Sequence, residues 1–399
     1  MSSARPGTTT GSGLARRRFA GAVAGLAATA AVSALNVKDT GPGHARPRPE
    51  PHPRADRPLF LGTYTSTEGG GTGIGLGTYD AGGRITATGV VAGVADPSYL
   101  TLAPGGHTLY AVDEQQQGGV TAIALPSGGA PVVLGTRSTG GAGPCHLSVH
   151  PGGRWLLSAN YLSGSVAVHP IAPDSGALGE RTDLVTHDSP PPGPGQDGPH
   201  AHQIITAPDG RRVLAVDLGN DTVYTYRLDE TAGKLTEVSR AALRPGAGPR
   251  HLTFHPSGRF AYLANEVDNT VVVCGYDAGS GRLTPGAPQS TGTGAGTSYP
   301  AQLLVTRGGG FAYLANRGHN SLTRYAVEDG GARLRLLDTV PVGGDFPRHL
   351  AFSPDERLLF AANQKSGTVT VFSVDSGSGG LTRTGEPFAA PVPVCVLPL

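Results

Sequence analysis

The sequence predicts an all-β fold: a seven-bladed β-propeller of four-stranded blades, the first blade closed by the C-terminal strand. Three observations predict it. The first is a recurring segment in which a Pro-His-Leu start leads through a Pro-Gly turn into a strand ending in Asn or Asp. Its clearest copy is GPRHLTFHPSGRFAYLAN at 248–265. Aligning the turn prolines pairs Pro104 with Asp113, Pro151 with Asn160, Pro208 with Asp217, Pro256 with Asn265 and Pro354 with Asn363, and a sixth copy sets Arg307 in the proline's place with Asn316. Members of a pair are nine residues apart, and successive Asn/Asp positions follow at 47–57 residues. A repeat of this length made of short strands denotes propeller blades. The second observation is that the chain ends supply the pieces of a seventh copy. The third is composition: 62 glycines and 34 prolines fall between apolar strands and not in one block, as in a turn-rich all-β protein.

Taken in order, the chain opens on an expected export signal at residues 1–45. Arg16, Arg17 and Arg18 precede Phe19 and a weakly apolar stretch at 20–35, which resembles a twin-arginine signal, with cleavage after Ala34 or Ala45. Residues 46–58, with five prolines and four arginines, read as a stiff solvated linker. The propeller is expected over 59–399. LFLGTYTS matches the second strand of a repeat, with Thr63 in the Asn position, and GIGLGTYD supplies the third. Full copies begin near Pro97, Pro144, Pro199, Pro249, Tyr299 and Pro347. PVPVCVLPL at the end matches a first strand, with Cys395 where other blades carry His146, His251 or His349, so one blade is built from both ends and the ring has no open sheet edge. Strand alternation supports the assignment: Leu252 and Phe254 face one way, His251, Thr253 and His255 the other.

Composition also excludes. The net charge is +1 and no basic stripe crosses the strands, so nucleic acid is not an expected partner. Beyond the N-terminal stretch no apolar run is long enough to span a membrane, so stable insertion of the mature domain is not expected. A closed ring needs no oligomer, and a monomer is expected. Cys145, Cys274 and Cys395 are predicted to be free buried thiols, because blades that are not neighbours hold Cys145 and Cys395 too far apart for a bridge. No cofactor or metal is expected. The repeated His146, His251 and His349 read as hydrogen bonds between blades, and the Asn/Asp series as side chains satisfying backbone groups where a strand ends.

The residue after each Asn/Asp is fixed in place but variable in chemistry: Tyr64, Glu114, Tyr161, Leu218, Glu266, Arg317 and Gln364. Such a series lines one mouth of the central channel. Glu266 and Arg317 lie there on adjacent blades, and Arg250 and Arg348 enter the same rim from first strands. A planar guanidinium suits a carboxylate, a phosphate or a developing oxyanion. The fourth repeat breaks the pattern, with DSPPPGPGQDGPHAHQ placing His200 and His202 off the register of the repeated histidines. A neutral imidazole beside a carboxylate is an acid/base candidate near pH 7.

With GTYTS, PHAHQ, DLGND, GPRH, NE at Asn265, NRG at Asn316, FPRH and ANQKSG in this order, the whole propeller resembles the lactonase family of seven-bladed propellers, which includes bacterial 6-phosphogluconolactonases and fungal carboxymuconate-lactonizing enzymes. The resemblance implies a metal-independent active site at the channel mouth, with functional residues at His202, Arg250, Glu266 and Arg317, and a small, anionic sugar- or acid-derived lactone as substrate. His200, Arg348, Gln364 and Gln302 are the expected substrate contacts, although Gln302 stands where the family usually has an acidic residue. Ring opening by general acid/base catalysis is the expected activity, with the reverse lactonization open to the same groups. The competing reading is a non-catalytic exported propeller that binds a cell-wall ligand or a protein through its rim, since propellers host many functions.

Overall fold

The computed structural model describes residues 56–188, 193 and 196–399. The expected signal region, most of the linker and part of the insertion before His200 lie outside these residues. Seven antiparallel sheets follow one another along the chain. Blade 5 shows the plan: Pro249–Phe254 innermost, then Phe260–Asn265, Thr270–Asp277 and Arg282–Ser290 at the outside. The inner strands are apolar runs because both of their faces meet neighbouring blades, whereas the outer strand alternates towards solvent. In blade 7 the outer edge is split into Leu381–Arg383 and Phe388–Ala389, both paired with the third strand. The helical content of the described residues is one 3₁₀ turn, Asp329–Gly331, and no helix among them is long and apolar enough to cross a membrane.

The first strand is Arg57–Thr63, which begins two residues before the expected start of the propeller at residue 59. Arg57 already pairs with Tyr79 in the ladder, and its guanidinium meets Asp355 of blade 7 at 2.9 Å. The C-terminal strand Pro393–Pro398 lies against this first strand, with Leu61 opposite Val396 and Gly62 opposite Cys395. Tyr79 Oη donates to the Leu399 carbonyl at 2.8 Å, so the last residue is also tied down.

Among the described residues the core is divided between the blades. The buried apolar side chains form seven clusters, each shared by two adjacent blades. Leu214 and Val216 of blade 4 pack with Leu252, Leu263 and Cys274 of blade 5, and Leu59 and Leu61 of blade 1 pack with Phe360 and Val369 of blade 7. Polar clasps reinforce the same seams: Tyr110, Tyr262 and Tyr313 each donate a hydroxyl to a glycine carbonyl of the next blade, at 2.8–2.9 Å. All three cysteines are buried and free.

The Asn members of the Asn/Asp series do something other than the expected backbone capping. Asn160, Asn265, Asn316 and Asn363 each donate Nδ2 to the hydroxyl of a Ser or Thr five residues on, locking the second strand to the start of the third. Asp217 alone of the series takes several backbone N–H groups, from His200, Gly219 and Asn220, because its blade carries the insertion that must be held.

Ring closure by the C-terminal strand yields a direct test. Removing residues 393–399 leaves the Leu59–Thr63 edge unpaired, and the truncated protein is expected to lose more than about 5 kcal/mol, the whole margin of a typical domain. Urea unfolding checks this, and an unchanged midpoint would contradict it.

Candidate active site at the channel mouth

The inner strand of most blades carries an irregularity at the same point. Pairing with the second strand jumps from Pro144 to His146, from Ala201 to Gln203, from Pro249 to His251 and from Pro347 to His349, and the closing strand shifts likewise between Gly62 and Thr63. One extra residue on one strand is a β-bulge, which re-aims a side chain that the pleat would otherwise bury. The extra residues are Cys145, His202, Arg250, Arg348 and Val394. His202 is therefore off the register of the repeated histidines but in the register of Arg250 and Arg348. His202, Arg250, Arg348 and Ser98 line one narrow cavity on the axis.

Below this layer sits a floor. Tyr99 lies 4.2 Å from His146 and 5.3 Å from His349, ring centre to ring centre, and His146 lies 5.5 Å from His251. The histidines serve the blades: Nδ1 of His146 accepts from the Ile204 N–H at 3.4 Å and Nδ1 of His349 from the Val396 N–H at 3.3 Å. Gln203 and Gln302 occupy the same repeat position and do the same work, their Oε1 atoms accepting from Leu252 and Leu350 at 2.7 and 3.1 Å. Gln302, an expected substrate contact, thus sits in the floor with its carbonyl taken. Burial, reinforced by neighbouring cations, depresses His146 and His349 to about 3, and His202 and His251 also fall well below the usual range.

Above the floor the charged groups meet. Arg317 Nη2 pairs with Glu266 Oε2, and Arg250 Nε lies 2.9 Å from the same oxygen, at an angle that makes an ionic contact and not a hydrogen bond. Both arginines make their nearest contact with Oε2, so Oε1 of Glu266 is the oxygen farther from each. Burial pushes the Glu266 carboxyl up, but the Arg317 and Arg250 charges outweigh it and hold it below the ordinary range, so it is ionised. Burial, with the like charge of Arg317, lowers Arg250 to about 9, which leaves it protonated at neutral pH. Arg317 is fixed further by the carbonyls of Tyr299 and Pro300 at 3.2 and 3.3 Å.

Arg348 differs from both. It makes no salt bridge among the described residues, and its guanidinium lies 5.7 Å from the centre of the Tyr64 ring. Glu114, the nearby carboxyl, is occupied by the hydroxyls of Tyr64, 3.1 Å from both oxygens, and of Ser98. Burial raises the Glu114 carboxyl, while the surrounding anions and Tyr64 overcome burial to raise Arg348. Three buried atoms at the mouth lack any hydrogen-bond partner, Nδ1 of His202 and both Nε and Nη1 of Arg250, and so does Oε1 of the half-buried Gln364. Unpaired buried donors and acceptors are costly and mark where a ligand belongs.

His200 plays a different part. Its Nδ1 bonds the Tyr161 carbonyl at 2.9 Å, its Nε2 meets Asp197 at 2.8 Å, and its ring stacks on Tyr161 at 4.5 Å. Both nitrogens are engaged, so it braces Tyr161, whose ring stands edge-on to His202 at 5.7 Å. Behind it His187 Nδ1 meets Asp217 at 2.5 Å with both side chains fully buried. Sequence reasoning missed Ser98 and Cys145 as wall residues. The available signal was position: each follows a first-strand proline, as Arg250 and Arg348 do. A wider surface concavity lies on the opposite face, around Asp355, Arg357 and Ser373, where the Asp355 carboxylate is already held by Arg57. It collects no comparable set of unpaired groups.

Fold and site together define a closed seven-bladed propeller with a charged, enzyme-like pocket on its axis. A family model, "Lactonase, 7-bladed beta-propeller", matches residues 58–398, and the chain belongs to that family. It is 34% identical over 314 residues to the 6-phosphogluconolactonase of Bacillus subtilis, covering 77% of this chain and 88% of that one. Among solved structures, a protein from Lactobacillus plantarum is 34% identical with a TM-score of 0.80, over 86% of this chain and 100% of that one. The periplasmic gluconolactonase PpgL of Pseudomonas aeruginosa is 30% identical with a TM-score of 0.80, over 86% and 99%.

The neutral histidine floor makes a prediction about pH. His146 and His349 have folded values of about 3 against 6.5 when free, so between these pH values the unfolded chain binds the extra protons. Stability is therefore expected to fall as pH drops below about 6.5, by about 1.4 kcal/mol per pH unit for each such histidine. Urea unfolding between pH 7.5 and 4 checks the slope. His349→Gln, which places at 349 the side chain that Gln203 and Gln302 use at the same repeat position, should make it shallower by one proton. An identical slope in that variant would contradict the account.

Proposed function

We propose that the protein is an exported lactonase that opens a small anionic lactone at the mouth formed by His202, Arg250, Glu266, Arg317 and Arg348. The observation that carries this reading is the asymmetry of Glu266: two guanidinium groups make their nearest contacts with Oε2, which leaves Oε1 the farther oxygen, beside the unpaired donors of Arg250. An ionised carboxylate held in this way has one oxygen free to orient a water molecule and take its proton.

In the proposed reaction, water activated at Glu266 Oε1 adds to the lactone carbonyl carbon. The carbonyl oxygen becomes an oxyanion, for which the unpaired Nη1 of Arg250 is an available donor. The bond from that carbon to the ring oxygen then breaks, and the proton held by Glu266 passes to the leaving oxygen to give a hydroxy acid. Neutral His202 contributes a hydrogen bond and no charge, consistent with the three cations that surround it. Arg317 holds Glu266 in place. That leaves Arg348, without a carboxylate of its own, to receive the carboxylate or phosphate of the substrate, with Gln364 on the same rim. The names of the Bacillus and Pseudomonas relatives, a 6-phosphogluconolactonase and a gluconolactonase, support sugar lactones as the class to test. The arginine-led N-terminal stretch and the periplasmic character of the Pseudomonas protein support export. The same groups serve lactonization when the hydroxy acid is in excess.

The test is pH-stat hydrolysis of gluconolactone, 6-phosphogluconolactone and muconolactone by residues 46–399. Wild type should exceed the spontaneous rate on at least one, and Glu266→Gln should lose about 10²–10⁴-fold in kcat. Arg348→Gln should raise KM for the anionic lactones and leave kcat nearly unchanged, the signature of lost ground-state binding. Equal rates for Glu266→Gln and wild type on every responsive lactone would overturn the proposal.

A further inference from the structure

The chain enters the inner strand of a blade through a residue that precedes a proline. In five blades this residue has a left-handed backbone: Asp96 with φ 41°, Gly143 with 60°, Gly248 with 61°, Phe346 with 66° and Val392 with 38°. The entry turn thus demands a conformation that glycine adopts freely and that a residue with a Cβ adopts only under strain. A following proline narrows the choices further. Blades 3 and 5 use glycine. Asp96 has an evident compensation, since its carboxylate accepts the N–H groups of Thr65 and Ser66 at 2.6 and 2.8 Å. The structure offers no account of Val392.

Phe346 is the bulky aromatic in the set, and it stands at the catalytic mouth. Its N–H donates to Asn320 Oδ1 at 2.9 Å and its carbonyl accepts from the Gln364 N–H at 3.1 Å, so the strained turn is pinned at both ends. Two cations contact its ring: Lys365 Nζ lies 4.1 Å and the Arg317 guanidinium carbon 5.3 Å from the ring centre. Arg317 is the residue that holds Glu266 Oε2. Strain in a left-handed residue persists where the surroundings over-determine it, and such positions gather at functional sites. An aromatic face attracts a guanidinium and limits its tilt.

We propose that Phe346 is a positioning residue, held in a strained left-handed turn so that its ring fixes the plane of Arg317 and with it the orientation of the Glu266 carboxylate. Glycine would make the turn without strain, as it does in blades 3 and 5, but would leave Arg317 without this wall. The consequence for catalysis rests on the proposed lactonase reading, whereas the coupling of Phe346 to Arg317 does not.

The experiment compares Phe346→Ala, Phe346→Gly and Phe346→Tyr. Alanine and glycine both delete the ring, but only glycine relieves the backbone. The glycine variant is expected to melt above the alanine variant, while both lose roughly 10–100-fold in kcat on the responsive lactone with little change in KM. Tyrosine should restore wild-type kcat. A glycine variant that melts no higher than the alanine variant would remove the strain, and wild-type kcat in either would remove the positioning role. If the wild-type protein opens none of the lactones, the lactonase reading fails, and the Arg317 Nε–Hε resonance, assigned with Arg317→Lys, decides this proposal alone. A sharp wild-type signal that broadens in Phe346→Gly supports it, and an unmoved signal overturns it.

Discussion

An antiparallel ladder alternates its side chains between two faces, so a strand pressed between neighbouring blades has no spare direction in which to send a functional group. The bulge at the entry of the inner strands removes that restriction. One extra residue per strand lets two consecutive side chains reach the axis, one to knit the floor and one to line the mouth. In blade 5 these are His251 and Arg250, and in blade 7 His349 and Arg348. The floor depends on the ring being closed, because each acceptor takes an N–H from the next blade, and His349 takes its N–H from the C-terminal strand itself. Closure, floor and pocket are consequences of one irregularity repeated around the axis.

The electrostatics follow from this geometry. Three guanidinium groups brought near the axis leave water behind, and such burial is costly unless charges are paired. Glu266 answers for two of them, and Arg348 remains for a ligand. The histidines below stay neutral, so the floor adds no further positive charge. An anion that enters therefore meets an excess of cations in a place where water competes poorly. The pocket is selective in sign before any particular contact is made.

Much of this was legible in the sequence. The spacing of turn prolines and Asn/Asp residues gave the blades, and LFLGTYTS with PVPVCVLPL gave the closure. The residue after each Asn/Asp located Glu266 and Arg317 at one rim, because a position constant in place and variable in chemistry points to a lined opening. The bulge was not legible, since a one-residue shift in pairing leaves no mark in composition or periodicity. For that reason His202 read as out of register with the repeated histidines when it shares the register of Arg250, and the places of Gln302 in the floor and of Ser98 and Cys145 in the wall passed unnoticed. The Asn side chains were expected to cap backbone but bind hydroxyls across the hairpin, a choice set by the Ser or Thr five residues on and visible once the pairing is known.

The central claim is that the lactone carbonyl is opened between Glu266 and Arg250 on the propeller axis. A crystal structure with the δ-lactam analogue of gluconolactone, whose amide resists hydrolysis, tests this most directly. The account predicts the ring at the mouth, its carbonyl oxygen on Arg250 Nη1 and its carbonyl carbon facing Glu266 Oε1. An analogue seated on the opposite face around Asp355 and Ser373, or at the mouth without contact to either residue, would contradict it.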